Sequence, residues 1–397
     1  MRAAFLLAGM VCAAQLALAQ GLFSVHSPNG SDVWAVGKQG TVFRSYDGGT
    51  TWSSFQQGTQ SFRSVATRGS MVWVVGEEGT AFRSTNAGDA WTSMIVGGVQ
   101  TLRAVEFPTL TTGWIAGDGG SMWKTTDGGL SWIAQSSGTV EQINALAFID
   151  SLTGYAVDTK GVVLKTTNGG ASWVTIGVPD WRTELTAVAA RSQTVYVTGL
   201  DAFCAKSENG GASWTLLDFK TVAQSDVNGV YVTNDFRAFF IGGGGYIRRT
   251  SNTEALFAWA QHPLHATLSD VFFSDNVRGW VCSDKFNVVM RTTDGGGTWL
   301  LPQGTSVNMA WQQTLNASGA IGMGMMINPW NKNRISVALG KMIYMSNDRG
   351  STWVPTSSVA PTSGSTHSFY ISPKDTNLFV AAFTGGGDHI RRSTNRG

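Results

Sequence analysis

The sequence predicts an all-β fold, a β-propeller of four-stranded blades, and three observations support this prediction. An eight-residue motif, first seen as SYDGGTTW over 45–52, recurs with its final Trp residues mostly 39 to 45 positions apart. A period near forty indicates an array of repeated supersecondary units. Each period holds four short apolar runs separated by tight-turn residues, and four strands joined in this way make one propeller blade. The 49 Gly and 16 Trp, against 14% charged residues, suit short strands, tight turns and aromatic packing.

The repeated motif is predicted to be a structural turn. Its Asp or Asn accepts hydrogen bonds from nearby backbone, and the following Gly residues supply positive φ. The closing Trp packs against the sheet, where its indole N–H needs one partner. The predicted turn residues with their Trp are Asp47 and Trp52, Asn86 and Trp91, Asp127 and Trp132, Asn168 and Trp173, Asn209 and Trp214, Asp294 and Trp299, and Asp348 and Trp353.

The second repeat shows how the four strands are predicted. The first apolar run is 62–66 and the second is 72–76. The third covers 79–84, after a link bounded by Gly76 and Gly79 that fits a hairpin. The motif follows, and a short fourth strand is predicted to start at its Trp, Trp91.

The repeats also predict the domain organisation. Residues 1–19 read as a secretory signal peptide, with a basic start, an apolar run and a small-x-small cleavage site. Seven repeats fill 21–302, and we predict a seven-repeat propeller over 20–302. A polar stretch, 303–319, is predicted to be a linker or a long inter-blade loop. Further repeats occupy 320–397 as a truncated second propeller or as the continuation of a ten-bladed ring.

Composition and local motifs argue against several kinds of site. A net charge of +2 gives no electrostatic case for nucleic acid. No cofactor and no metal site is predicted, because the pair His262 and His265 lies in a Pro-containing loop without further ligands. Cys204 and Cys282 lie two repeats apart and are predicted to be buried free thiols.

The motif Ser-x-Asp-x-Gly-x-Thr-Trp resembles the Asp-box, also called the bacterial neuraminidase (BNR) repeat, throughout 21–397. Four families share it: photosystem II assembly and stability factors, sortilin-type sorting receptors, xyloglucanases and sialidases. The pattern over 114–129, WIAGDGG followed by KTTDGG, looks most like the photosystem II factors. The last two repeats look like sortilins or xyloglucanases. The resemblance implies that the Asp-box residues are structural and lie away from the ligand-binding face.

No catalytic residue is predicted, so the chain is interpreted as a non-enzyme with a glycoside hydrolase as alternative. A sialidase needs an Arg-Ile-Pro segment and a Tyr–Glu pair, and neither is evident. A xyloglucanase-like enzyme needs two facing carboxylates. Available carboxylates at the links between second and third strands are Glu77, Glu78, Asp118, Asp158, Asp201 and Asp284, and nothing in the sequence pairs any two.

Binding residues are predicted on one face of the ring. Arg63, Arg103 and Arg182 fall at or just before the first strands of their repeats, so the ring should gather them. Trp181 and Phe286 add aromatic surface, and exposed Arg and aromatic side chains suit protein recognition. The sequence therefore predicts a secreted or lumenal, non-catalytic scaffold that binds a protein or polypeptide. A sortilin-type receptor ectodomain is the alternative, and carbohydrate is a second possible ligand. No membrane span is predicted within residues 20–397.

Overall fold

The computed structural model describes most of the first 302 residues and the strands of the remainder. The described ranges are 21–177, 183–217, 219, 226–250, 258–259, 266–285, 287–302, 321–327, 335–339, 342–346, 354–355, 365–371, 379–384 and 389–393. The chain divides into two compact units, Met1–Thr305 and Ser306–Gly397. The predicted signal peptide and the predicted 303–319 connection lie outside the described residues.

The first unit is a seven-bladed β-propeller in which each blade is an antiparallel sheet with its strands in chain order. Blades 1 to 3 consist of β1 (Leu22–His26), β2 (Val33–Gly37), β3 (Thr41–Ser45) and β4 (Ser53–Gln56); β5 (Phe62–Arg68), β6 (Met71–Gly76), β7 (Ala81–Ser84) and β8 (Thr92–Ser93); and β9 (Leu102–Glu106), β10 (Gly113–Gly117), β11 (Met122–Thr125) and β12 (Ile133–Ala134).

Blades 4 to 7 repeat the arrangement. They consist of β13 (Ile143–Phe148), β14 (Gly154–Asp158), β15 (Val163–Thr166) and β16 (Val174–Ile176); β17 (Leu185–Arg191), β18 (Thr194–Gly199), β19 (Cys204–Ser207) and β20 (Thr215–Leu216); β21 (Val227–Val232), β22 (Ala238–Gly242), β23 (Ile247–Arg249) and β24 (Ala258–Trp259); and β25 (Leu268–Phe273), β26 (Gly279–Ser283) and β27 (Val289–Thr292). In blade 7 a single bridge between Arg291 and Leu300 stands in place of a fourth strand.

The predicted propeller of 21–302 is therefore confirmed, with two local differences. The fourth strand begins just after the motif Trp, as at Thr92, because the Trp itself still belongs to the turn. The second-to-third-strand links, predicted as hairpins, contain one turn of 3₁₀ helix in four blades: Lys38–Gly40, Glu77–Gly79, Asp118–Gly120 and Gly243–Gly245. The described residues contain no α-helix.

The first strand of every blade lines the centre of the ring. Consecutive inner strands β1, β5, β9, β13, β17, β21 and β25 are neighbours, and β25 returns to β1. Antiparallel order then separates two faces. The upper face carries the starts of the inner strands and the second-to-third-strand links. The lower face carries the ends of the inner strands and the Asp-box turns.

Aromatic side chains fill the space between blades. Trp73 stacks on Phe107 of the next blade at a centroid distance of 3.6 Å, and Trp132 meets the same Phe edge-on at 5.9 Å. A Cβ at Gly113 would come within 2.5 Å of the Phe107 ring, so this strand needs glycine there. The same stack recurs at Trp114, Phe148 and Trp173, and at Phe239, Phe273 and Trp299.

The Asp-box turns are structural, and Asp127 shows how. Its carboxylate accepts from the backbone N–H groups of Leu130 (2.9 Å) and Ser131 (3.0 Å), and Thr125 Oγ1 donates to it at 2.7 Å. Hydrogen bonds from Ser131 and Thr125 hold the pKa of Asp127 well below its usual range. The turn is also bonded to the preceding blade, because Trp73 Nε1 donates to Gly128 O at 2.9 Å. This turn therefore joins two blades.

The motif Trp residues differ from expectation in one respect. Trp52 Nε1 donates to Gly49 O at 3.2 Å. The predicted indole partner is wrong for the other five described copies, whose N–H groups are buried without one: Trp91, Trp132, Trp173, Trp214 and Trp299. These rings stabilise by apolar and edge-on aromatic contact instead. Asp348 and Trp353 lie outside the described residues.

The second unit contains two antiparallel sheets in its described strands. One is four-stranded, with β28 (Ile321–Ile327), β29 (Ile335–Leu339), β30 (Met342–Ser346) and β31 (Val354–Pro355). The other has three strands, β32 (Ser365–Ile371), β33 (Phe379–Thr384) and β34 (His389–Ser393). Both follow the blade order predicted for repeats eight and nine.

Two further findings concern the described part of the chain. Cys204 and Cys282 are buried free thiols, as predicted. None of the described helical segments has the length and apolar character needed to cross a membrane.

Candidate functional site

Every inner strand of the propeller has a β-bulge one residue after its start. The unpaired residues, which we call the bulge residues, are Phe23, Arg63, Arg103, Asn144, Thr186, Asn228 and Ser269. A bulge re-aims the side chain that it carries and is common beside functional sites. The seven bulge residues therefore form a ring at the upper mouth of the central channel.

Four bulge residues join their blade to the next one. Asn144 Nδ2 donates to Leu185 O at 2.7 Å, and Asn228 Nδ2 donates to Leu268 O at 3.0 Å. Thr186 Oγ1 donates to Val227 O, and Ser269 Oγ donates to Leu22 O at 2.6 Å across the closure of the ring. In each case the acceptor is the first residue of the next inner strand. In blades 4 to 7 the side chain at the bulge position thus makes the hydrogen bond that joins its blade to the next one.

The first three blades make this joint with residues deeper in the channel. Val65 N donates to Ser24 Oγ at 3.3 Å, and Val105 N donates to Ser64 Oγ at 3.2 Å. The Glu106 carboxylate accepts the backbone N–H of Phe148. Because these bonds join blades 1 to 4, the side chains at the bulge positions of blades 1 to 3 are not needed for inter-blade hydrogen bonds.

The released bulge residues form a charged and aromatic cluster, the arginine arc, made of Phe23, Arg63 and Arg103 with Glu77 and Asp118. Arg63 Nη2 lies 2.5 Å from Glu77 Oε1, and its guanidinium lies 4.4 Å from the Phe23 ring centroid. Arg103 Nε lies 2.5 Å from Asp118 Oδ1. Desolvation raises the pKa of Glu77, but hydrogen bonds from Ser61 and Arg63 outweigh it and lower the pKa below its usual value. Both carboxylates come from the 3₁₀ turns of the upper face.

Exposed apolar side chains flank the arc on the links that lead into blades 3 and 4. Val99 is 81% exposed and Val140 is 82% exposed. A Cβ on Gly79 would lie 3.5 Å from Val99 Cα, and a Cβ on Gly120 would lie 3.2 Å from Val140 Cα. The two valines therefore lie directly beside the turns that carry Glu77 and Asp118. Charged pairs and open apolar groups alternate across this sector of the upper face.

The three bulge residues of the arc also line the central channel, a cavity with a volume of about 540 Å³. Side chains from all seven inner strands line it. Desolvation raises the pKa of Glu106 to about 7 and that of Asp270 to about 6. Desolvation, followed by the nearby Arg68, lowers the pKa of His26 to about 3, so this ring is neutral. His26 Nδ1 lies 2.6 Å from Thr67 Oγ1.

The structure brings together two of the five predicted binding residues. Arg63 and Arg103 lie on adjacent blades at the upper mouth, but their side chains are only 31% and 27% exposed and each is ion-paired, unlike the free surface arginines expected. Trp181, Arg182 and Phe286 lie outside the described residues. Sequence reasoning missed Phe23, although it occupies the position equivalent to Arg63 in the preceding repeat, and that equivalence is the signal that could have found it.

Asp158 and Glu78, two of the carboxylates considered for hydrolysis, have structural partners. Asp158 is buried and accepts from the backbone N–H groups of Lys160 and Val162, both at 2.9 Å. Gln60 Nε2 donates to Glu78 Oε2 at 2.6 Å. Within the described ranges no group of three or more His, Cys, Asp or Glu is placed to hold a metal ion.

Comparison with known proteins gives two kinds of match. The family model of the photosynthesis system II assembly factor YCF48 matches residues 12–98, about a fifth of the chain. No curated protein matches the sequence. YCF48 from Cyanidioschyzon merolae has a similar structure, with a TM-score of 0.59 and 17% identity over 70% of this chain and 97% of that one.

Two glycoside hydrolases of family GH74 are also similar in structure. An ancestral GH74 enzyme gives a TM-score of 0.60 at 14% identity, covering 94% of this chain and 59% of that enzyme. The GH74 xyloglucanase from Xanthomonas campestris gives 0.60 at 11% identity, covering 96% and 74%. At these identities the likeness concerns the fold.

Proposed function

We propose that this chain, an Asp-box β-propeller of the BNR type, is a non-catalytic scaffold that binds a polypeptide partner on its upper face through the arginine arc, in the manner of an assembly factor. The observation that carries the proposal is that in blades 1 to 3 the hydrogen bond to the next blade is made by a residue other than the bulge residue. Ser24, Ser64 and Glu106 make the joint deeper in the channel. The bulge positions above them are then free to carry Phe23, Arg63 and Arg103.

The chemistry of the arc suits a polypeptide. A guanidinium presents several donors in a fixed fork and also packs on aromatic rings. The ion pairs with Glu77 and Asp118 are partly solvated, and such pairs contribute only about 0–1 kcal/mol. A partner carboxylate or carbonyl can therefore share either arginine at small cost. Val99 and Val140 offer apolar contact on the same surface.

The similarity to YCF48 supports the same function over the part of the chain that carries Phe23, Arg63 and Glu77. A scaffold of this kind would act in an exported compartment, because residues 1–19 read as a secretory leader. N-terminal sequencing of the mature protein tests that location: a chain that begins near residue 20 supports it, and an intact N-terminus contradicts it.

The binding proposal is tested by charge reversal with a matched control. Partner capture from an extract of the source organism, quantified by mass spectrometry, is compared for wild type, Arg63→Glu/Arg103→Glu and Arg278→Glu. Arg278 is ion-paired with Asp275 at 2.6 Å at the start of β26, on the lower face, and serves as control. We expect the double variant to lose a polypeptide that wild type and control retain, at about 1–2 kcal/mol or more per arginine.

Equal capture by all three proteins contradicts the proposed surface. Hydrolysis of xyloglucan by the purified protein, abolished by Asp118→Asn or Asp158→Asn, would replace the scaffold with a glycoside hydrolase. Partner capture by a Val99→Ser/Val140→Ser variant measures how much the apolar side chains contribute to binding, because this variant keeps the charge of the surface.

A further inference from the structure

The lower half of the central channel lies at the opposite end of the cavity from the arginine arc. Arg68 ends β5 and Arg191 ends β17, and both side chains line the channel. Since all inner strands run in the same direction, these two arginines lie at the lower mouth, whereas Arg63 and Arg103 lie at the upper one. Blades 2 and 5 are separated by two blades on one side, so the two guanidinium groups approach the channel from different directions.

Both arginines are bonded to neutral oxygen atoms, and Arg68 also attracts the Glu106 carboxylate at longer range. Arg68 Nε donates to Phe107 O at 3.0 Å. The Arg191 guanidinium hydrogen-bonds to the Tyr231 oxygen, and Tyr231 donates its O–H to Phe273 O at 2.7 Å. Among the described residues neither guanidinium forms an ion pair with a carboxylate. Their terminal N–H groups remain available in the channel.

The acidic groups nearby do not balance this charge. Asp270 already accepts backbone N–H groups from Val25 (2.9 Å) and Val271 (2.8 Å). Glu106 accepts the Phe148 N–H and is attracted by Arg68, but desolvation raises its pKa to about 7, so it is only partly ionised at neutral pH. His26 is neutral there. Two guanidinium groups therefore face two carboxyl groups, of which Glu106 is only partly ionised, in a narrow channel whose walls focus the electric field.

The channel walls differ in shape. Blades 6, 7 and 1 contribute an aromatic wall, with Phe272 at 5.2 Å from Tyr231 and 4.0 Å from His26, measured between ring centroids. Blades 4 and 5 contribute the small side chains Ala147 and Ala189 at the equivalent level. The whole channel, from the upper mouth to the lower one, has a volume of about 540 Å³, within the range of roughly 300–1,000 Å³ for small-molecule pockets.

We propose that the lower channel binds a carboxylic acid with an aromatic body, the carboxylate between Arg68 and Arg191 and the ring against Phe272. Arginine recognises carboxylates by paired N–H donors, and offset or edge-on ring contact adds to apolar burial. The carboxylate belongs either to a free small acid or to a C-terminal aromatic residue of a polypeptide. This site lies at the opposite mouth of the channel and shares no residue with the arc, so each site is tested by its own variants.

Isothermal titration calorimetry with 3-phenylpropionate and with N-acetyl-Gly-Gly-Phe tests the site and separates the two sources. We expect wild type to bind at least one of them, with the tighter ligand identifying the source. Arg68→Gln/Arg191→Gln should weaken that binding at least tenfold. Arg278→Gln removes one positive charge near the lower face but outside the channel, and it should bind as wild type does.

The carboxylate requirement is checked with 3-phenylpropionamide, which should not bind. The proposal is overturned if wild type binds neither acid at millimolar concentration. It is also overturned if the amide binds as tightly as the acid, or if the double variant binds as wild type while circular dichroism shows it folded. A double variant that does not fold is replaced by Phe272→Leu, which should weaken both acids without changing charge.

Discussion

At the scale of single residues, the channel contains carboxyl groups that serve as structural acceptors at a cost in desolvation. Glu106 joins blade 3 to blade 4, and Asp270 joins blade 7 to blade 1. Ser24 and Ser64 also accept a backbone N–H from the next blade, but with a neutral hydroxyl group. A buried carboxylate is costly to ionise, whereas a hydroxyl accepts the same bond without a charge. The two acids should therefore make stability depend on pH.

Glu106→Gln should change that dependence in a predictable direction. The pKa of Glu106 is raised from 4.5 to about 7, mainly by desolvation. Between these values the folded protein binds more protons than the unfolded one, so the free energy of unfolding falls as pH rises. The Gln variant keeps an acceptor for Phe148 N–H but does not titrate. It should gain roughly 1–2 kcal/mol relative to wild type between pH 5 and pH 8.

Urea unfolding at several pH values measures this difference. His26 acts in the opposite sense, since its lowered pKa destabilises the folded state as pH falls below 6.5, but it is present in both proteins and cancels. Parallel pH profiles for wild type and variant would show that Glu106 is solvated and that its bond to Phe148 carries no desolvation cost.

At the scale of elements, the sequence predicted the strands and turns, which depend on nearby residues, but it did not predict the hydrogen bonds between blades. The strands and Asp-box turns depend on neighbours within a few residues, such as the bond from Leu130 N to Asp127. The bulge joints link residues about 41 positions apart, as from Asn144 to Leu185, and the closing bond links residues 247 apart. The donor and the acceptor of each such bond lie in different repeats, so neither repeat by itself shows the pair. Alignment of the repeats with one another would have shown small polar residues at the bulge position of blades 4 to 7.

The Asp-box turn offers a direct test of its structural role. Asp127→Ala removes acceptors for Leu130 N, Ser131 N and Ser131 Oγ, and it should cost about 1–2 kcal/mol, as loss of a capping bond does. Asp127→Asn should cost less, because Asn168 occupies the same position in the next blade and accepts from Ser172 N at 3.0 Å. Denaturant titration ranks the two variants, and an Asn variant as unstable as the Ala variant would contradict this account.

At the scale of the whole molecule, the first unit has its own closed set of joints. Every neighbouring pair of blades from 1 to 7, including 7 and 1, has at least one side-chain bond between inner strands. Trp280 Nε1 also donates to Gly48 O at 3.0 Å across the closure. A ring that is complete in itself does not require a further blade to cover an open edge.

We therefore expect a fragment of 20–302 to fold alone. Its thermal unfolding should be cooperative, with a midpoint within a few degrees of the corresponding transition of the full chain. Differential scanning calorimetry of the fragment and the full chain provides the comparison. A fragment that aggregates or unfolds without a cooperative transition would instead support a larger ring in which 320–397 supplies additional blades.

The way the ring closes has a consequence for how such a chain can change. Among the described strands of the first unit, none is exchanged from one blade into another. Ser269 Oγ donates to Leu22 O across the closure, just as Asn228 Nδ2 donates to Leu268 O between blades 6 and 7. The hydrogen-bonded joint between blades 7 and 1 is thus equivalent to the joints between blades that follow one another in the chain. The blades form a cyclic order with no structural first member. Circular permutation at any inter-blade link, or duplication of a whole blade, would leave each remaining joint with the same partners.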